Sequence, residues 1–180
     1  MRLTEVYTSI QGEGPNTGQQ IQFVRFGGCN MRCPGWPCDT EFAINPENKD
    51  QWEKIDPIGV ASRIKAYPKH VCLTGGEPLI QRSEDMRRLA ESLTQDNYKI
   101  DLFTNGSQAI PIWSLKNNVT IVMDWKLPGS GEAATGVMQR GENIKFLQEK
   151  DAVKFVVKNS EDLLAAIDVW RTFRDAECGG

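Results

Sequence analysis

Apolar and polar residues alternate along this chain at two periods, and the switches between them mark out its elements. Leu3-Thr4-Glu5-Val6-Tyr7 and Ile21-Gln22-Phe23-Val24-Arg25-Phe26 read as strands. A glycine-rich turn, Gln11-Gly12-Glu13-Gly14-Pro15, lies between them. Residues 41–55 are polar and irregular, as a surface excursion would be. Asp56-Pro57 supplies a cap and a first-turn proline to a helix. Its apolar Ile58, Val60, Ala61, Ile64 and Ala66 suit an amphipathic helix that ends before Pro68. Val71-Cys72-Leu73 is a short buried strand, and Ser83 caps a helix carrying Met86, Leu89, Ala90 and Leu93. Ile100–Phe103 is the next strand. A short helical segment near 109–116, a strand at 119–123, a long glycine-rich loop over 125–141 and a strand at 151–157 follow. Ser160 caps the last helix. Strands alternating with helices predict an α/β fold with a parallel sheet, open or curled into a partial β/α barrel. No repeat or linker interrupts the pattern, so one domain over 1–180 is expected.

In such sheets ligands collect beyond the carboxyl ends of the strands. The distinctive stretches fall there: residues 29–40, Thr74-Gly75-Gly76-Glu77-Pro78, Thr104-Asn105-Gly106 and 124–131. One active site is therefore expected. Its centre is Cys29-Asn-Met-Arg-Cys33-Pro-Gly-Trp-Pro-Cys38-Asp-Thr40, which holds three of the five cysteines. Glycine and proline at this density impose a tight, non-repeating backbone that turns the three thiols toward one point. Structural zinc wants four nitrogen or sulfur ligands in close pairs, and neither Cys72, Cys178 nor His70 has a partner at that spacing. A four-iron cluster held by three thiolates keeps one iron open. Zinc and inert thiols are the alternatives.

Composition acts mainly by exclusion. The chain has 180 residues, 39% hydrophobic and 25% charged, which excludes a disordered or collagen-like polymer. A net charge of −3, with no basic run longer than Arg87-Arg88, argues against direct nucleic-acid binding. No stretch approaches the roughly 18 apolar residues of a membrane span. Met1–Glu5 enters a strand pattern without the apolar core of a signal peptide. A reducing cytoplasm is expected, where clustered cysteines are more often ligands than disulfides. The single histidine, His70, makes a histidine-pair mechanism a poor fit.

A three-cysteine loop after the first strands, followed by Gly-Gly-Glu-Pro after the next, resembles the radical S-adenosylmethionine superfamily. Tyr7-Thr-Ser-Ile-Gln-Gly-Glu-Gly14, Phe23-Val-Arg25, Gly28-Cys-Asn30, Cys38-Asp-Thr40 and Leu73-Thr-Gly-Gly-Glu-Pro78 are similar to the 7-carboxy-7-deazaguanine synthases. This likeness runs from residue 3 to about 158 and is densest in the first 80. It implies the superfamily's open β/α barrel, here shortened at the C-terminus, because that family continues through a final strand beyond the helix at 160–174. It implies a [4Fe-4S] cluster on Cys29, Cys33 and Cys38, with S-adenosylmethionine on the open iron. A radical then contracts the ring of 6-carboxy-5,6,7,8-tetrahydropterin, with loss of ammonia, for queuosine or other deazapurines.

The same likeness assigns S-adenosylmethionine contacts to Pro37, Asp39, Gly75, Gly76, Glu77, Asp124, Trp125 and Lys126. Substrate contacts fall to Ile10, Gln11, Gly12, Arg25 and Thr74, and a Mg²⁺ ligand to Thr40. Residue chemistry agrees: a guanidinium at a strand end can grip a carboxylate through two parallel bonds, and a threonine oxygen suits Mg²⁺. Simpler readings stand beside these. Arg25 or Lys126 could face solvent, and Glu77 could cap the next segment. An electron donor such as a flavodoxin or ferredoxin and a homodimer complete the expectation. Rival readings are an activating enzyme that makes a glycyl radical on a partner protein, and a non-catalytic cluster or zinc module. Four residues separate Cys33 from Cys38 where the superfamily usually has two, and Pro34-Gly35-Trp36-Pro37 is expected to absorb the excess.

Overall fold

The computed structural model describes residues 1–36 and 38–177. Its strands are β1 (Arg2–Ile10), β2 (Gln20–Phe26), β3 (Glu53–Lys54), β4 (His70–Gly75), β5 (Lys99–Thr104), β6 (Val119–Asp124) and β7 (Ala152–Lys154). They form one sheet in the order β3-β1-β2-β4-β5-β6-β7. β1 runs antiparallel to both β2 and β3, and every pairing from β2 to β7 is parallel. β3 and β7 stand at opposite edges, so the sheet is an open α/β barrel, as the pattern predicts. The helices are α1 (Glu41–Ile44), α2 (Pro57–Arg63), α3 (Ser83–Gln95), α4 (Val137–Ile144) and α5 (Ser160–Glu177).

Period-two alternation gives the sheet two unlike faces. On the outer face Val24, Val71, Leu73, Ile100 and Leu102 are fully buried, packed with Val60 of α2 and with Met86, Leu89 and Leu93 of α3. Burial of each large side chain contributes about 1.5–3 kcal/mol. Further along, Ile121, Met123, Trp125 and Leu127 pack with Ala166 of α5. The inner face carries the opposite set: Tyr7 and Phe23, Glu5 and Arg25, and the row Phe23, Cys72, Asp101 held in register. The loop 11–19 folds back over this face. Gly14 adopts φ +76° there, and a β-carbon on it would lie 2.9 Å from Val122 Cγ2.

Several predicted details change. The excursion at 41–55 contains α1, a 3-10 turn at Pro46–Gln51 and β3. Asp56 caps α2 as expected, accepting from the Gly59 N–H at 2.7 Å, but the helix stops at Arg63, with Ile64 extended. Ser83 and Ser160 are the first residues of their helices rather than caps; Asn159 accepts from the Asp162 N–H at α5. β7 is confined to three residues, and the presumed loop at 125–141 gives way to α4 at Val137. Cys72 is buried as expected, yet it faces the polar inner side beside Asp101.

Candidate functional site

A cavity of about 190 Å³ opens over the inner face, at the carboxyl ends of the parallel strands. Cys29, Cys33 and Cys38 line it together. The Met31 N–H donates to Cys29 Sγ at 3.4 Å, and Asn105 Nδ2 lies 3.8 Å from the same sulfur. Burial pushes the Cys29 thiol up, partly offset by the Met31 N–H. Burial also raises Cys33, against the pull of the Lys126 ammonium. Cys33 has φ +46°, a left-handed conformation unusual outside glycine, asparagine and aspartate.

The donor set suits an iron–sulfur cluster: three soft sulfurs face one cavity, with a cation nearby to offset thiolate charge. Metal ligation deprotonates a thiol outright, which overcomes the burial effect. Among the described residues no three His, Cys, Asp or Glu side chains converge as ligands of a single ion. A cubane instead takes each thiolate on a different iron.

The segment Thr74–Gly76 forms the wall beside Cys29, where a β-carbon on Gly76 would lie 3.1 Å from Cys29 Cβ. Thr74, Gly75 and Gly76 line the cavity. The glycines are required by protein backbone. A β-carbon on Gly75, at φ +137°, would sit 2.3 Å from Phe26 O, and one on Gly76 would sit 2.1 Å from Gly28 O. Those contacts let the Gly76 and Glu77 N–H groups donate to Phe26 O and Gly28 O, binding the wall to the cysteine loop. Glu77 is fully buried and absent from the cavity lining. Its carboxylate accepts from Leu79 N (2.9 Å), Thr104 Oγ1 (2.8 Å) and Asn105 N (2.6 Å). It therefore caps the next turn, the simpler of its two readings, and also ties the end of β4 to β5. Burial pushes it up to about 7 despite these donors.

Arg25 lines the cavity but is not alone. Its Nε donates to Glu5 Oε1 at 2.8 Å and its NH2 group to the Tyr7 hydroxyl at 3.0 Å, while the guanidinium lies over the Phe42 ring. These partners outweigh burial and hold its pKa above the usual arginine value. The remaining N–H groups are available to an anion. Thr40 Oγ1 donates to Asp39 Oδ1 at 3.2 Å and lies 3.5 Å from Cys38 Sγ, which places two hard oxygens beside the third cysteine. Asp124 and Lys126 line the far wall as an ion pair. Burial lowers the lysine's pKa, but Asp124, Cys33 and Cys29 raise it by more. Asp124 Oδ1 is buried with no partner.

Other expected residues lie elsewhere. Trp125 points into the core and meets Phe173 edge-on. Ile10 is exposed at the end of β1, and Gly12 has open space around it. Gln11 lies beneath the cavity, where its Nε2 donates to Asp101 Oδ2 at 3.4 Å. Asp101 also accepts from Asn16 at 2.8 Å and pairs with His70 at 2.9 Å, so this buried carboxylate pins the 11–19 loop to the sheet. Pro37 and Cys178 are outside the described residues. Sequence reasoning overlooked Glu5 and Tyr7, although strand pairing alone sets them opposite Arg25 and Phe23. It also overlooked Glu13 and Lys154, which line the cavity and pair at 2.8 Å.

A cluster-binding loop on an open β/α barrel defines a class, and the chain matches the 4Fe-4S single cluster domain family over residues 10–124. It is 36% identical over 175 residues to the 7-carboxy-7-deazaguanine synthase of Clostridium acetobutylicum, covering 96% of this chain and 75% of that protein. To the synthase of Thermoplasma acidophilum it is 34% identical over 168 residues, covering 93% of this chain and 75% of the relative. With the synthase of Methanospirillum hungatei the identity is 36% over 166 residues, or 91% of this chain and 64% of the relative. The chain belongs to the 7-carboxy-7-deazaguanine synthase family. The crystal structure of QueE from Escherichia coli shares the fold, with a TM-score of 0.61 at 19% identity, covering 96% of this chain and 90% of that one.

Proposed function

We propose that this chain is a 7-carboxy-7-deazaguanine synthase, a carbon–nitrogen lyase that contracts the ring of 6-carboxy-5,6,7,8-tetrahydropterin. The observation that carries the reading is one cavity lined by three cysteines, Arg25, Thr74, Thr40 and Lys126. When bound, the cluster would supply the electron that cleaves S-adenosylmethionine to a 5′-deoxyadenosyl radical. Cys29, Cys33 and Cys38 are its ligands.

The protein's own tasks are binding and orientation. Gly75 and Gly76, held against the cysteine loop, present backbone to S-adenosylmethionine, and Glu77 keeps that wall in place from beneath. Asp39 and the Asp124–Lys126 pair contact the same cofactor. Arg25, oriented by Glu5 and Tyr7, takes the pterin carboxylate through its free N–H groups. Thr74 faces Arg25 across the strand pair and adds a hydroxyl to the same ligand. Gln11 and Gly12 act through the loop that Asp101 anchors. Thr40, with Asp39 beside it, offers oxygen to Mg²⁺. A flavodoxin- or ferredoxin-type donor, a reducing cytoplasm and a homodimer complete the proposal. Leu163, Leu164 and Trp170 leave an exposed apolar strip on α5 that a second copy would cover.

Anaerobic reconstitution with iron and sulfide tests this reading. The brown protein, given S-adenosylmethionine, reductant, Mg²⁺ and the carboxypterin, is expected to form the deazaguanine, and Cys38→Ala to abolish it. A colourless protein holding zinc would contradict the proposal. Cleavage of S-adenosylmethionine with the pterin untouched would favour an activating enzyme.

A further inference from the structure

The widened stretch between Cys33 and Cys38 does not hang free. The Gly35 N–H donates to Ser130 O at 3.1 Å, and Lys158 Nζ donates to Gly35 O at 2.5 Å. The approach is so close that a β-carbon on Gly35 would sit 1.8 Å from Gly129 O, and one on Gly131 would sit 2.7 Å from Pro34 Cγ. One residue further along, Glu132 reaches the other end of the loop. Its carboxylate accepts from the Arg32 N–H at 2.8 Å, one residue before Cys33. Cys33 is the residue held in the left-handed conformation.

Glu132 is itself fixed. Its N–H donates to Ser130 Oγ at 3.0 Å, and its carbonyl accepts from the Thr135 N–H at 3.1 Å. The fully buried Arg140 spends its guanidinium on the carbonyls of Ala133 and Thr135, at 2.7 Å each. Burial makes these bonds costly to break. A charged acceptor on a backbone N–H is a stronger tether than a neutral one.

We propose that Glu132 is a positioning residue for the cluster ligands. It fixes the backbone at Arg32, next to Cys33, from outside the loop, while Ser130 and Lys158 secure the inserted residues at Gly35. The widened spacing is thus compensated by a clamp from the segment that follows β6. The inference rests on the reading of Cys33 as a cluster ligand, but the clamp also exists in the metal-free protein and can be tested there.

Two readouts separate the claims. In the apoprotein, tryptic cleavage after Arg32 is expected to speed up about five-fold or more in Glu132→Ala, with the unfolding transition retained. Glu132→Gln keeps an acceptor oxygen but loses the charge, and is expected to fall between the wild type and Glu132→Ala. In reconstituted protein, chelator-driven iron loss should follow the same order. Lys158→Met, at the exposed end of the clamp, should loosen both readouts by a smaller factor and serves if Glu132→Ala does not fold. Cleavage of Glu132→Ala at the wild-type rate, or of Glu132→Gln as fast as Glu132→Ala, would overturn the clamp. A wild-type protein that takes up no cluster would overturn the ligand reading instead, while the apoprotein cleavage still decides the clamp.

Discussion

The two faces of one sheet obey different rules in this molecule. On the outer face Leu73, Ile100 and Leu102 need only fit their neighbours, and any apolar residue of the right volume meets the demand. On the inner face the polar groups are held by specific partners: Arg25 has Glu5 and Tyr7, and Asp101 has His70, Gln11 and Asn16. Unpaired charges would be too costly in that setting. The outer face therefore supplies stability, and the inner face supplies a preorganised polar surface at the expense of some. The two should separate under mutation.

The largest effect on folding is expected from Leu102→Ala, which should cost about 2–5 kcal/mol in urea unfolding while leaving pterin affinity in the surviving folded protein unchanged. A matched loss of affinity would break the distinction. Glu77→Ala comes next. It leaves the Leu79 and Asn105 N–H groups and the Thr104 hydroxyl without their acceptor, at a cost of about 2–4 kcal/mol. Because Asn105 and Gly76 line the cavity, this change should lower activity as well.

Glu77 also carries a pH signature. Burial raises its folded pKa to about 7, above the ordinary carboxyl value of 4.5. Its contribution is thus fully present below about pH 4.5 and is lost as pH rises through about 7. The unfolding free energy of wild-type apoprotein minus that of Glu77→Gln should fall by up to about 3 kcal/mol between pH 4.5 and 8, then level off. A difference independent of pH would show that folding leaves the titration of Glu77 unshifted. Asp101→Asn should act more gently. The amide turns an N–H group toward one of three donors, loosening the 11–19 loop by about 1–2 kcal/mol. The expected readout is a raised KM for the pterin with the melting temperature little changed.

This asymmetry also explains what could be read from the chain. Outer-face strands, the Asp56 cap and the cysteine loop follow from local rules, since alternation, a cap and clustered glycine and proline are visible in a short window. α4 is invisible to those rules. Its buried residues are Arg140 and Asn143, with Asn143 held by Gly106 O, Gln108 O and the Ile110 N–H. A helix with a polar buried side carries no apolar period. Gly75 and Gly76 were legible as special, but their immediate cause, the backbone of Phe26 and Gly28, is a tertiary contact. Arg25 was legible, and its orientation by Glu5 follows only once the register of β1 and β2 is known.

The role proposed for the inner face is to hold a carboxylated pterin, with Arg25 as the anchor. Equilibrium binding of 6-carboxytetrahydropterin, compared with the same pterin lacking its carboxyl group, tests it most directly. At least a tenfold preference for the carboxylated ligand is expected, about the value of one charge-assisted contact, and Arg25→Met is expected to erase it. Equal affinity for the two ligands in the wild type, or a preference that survives Arg25→Met, would contradict it.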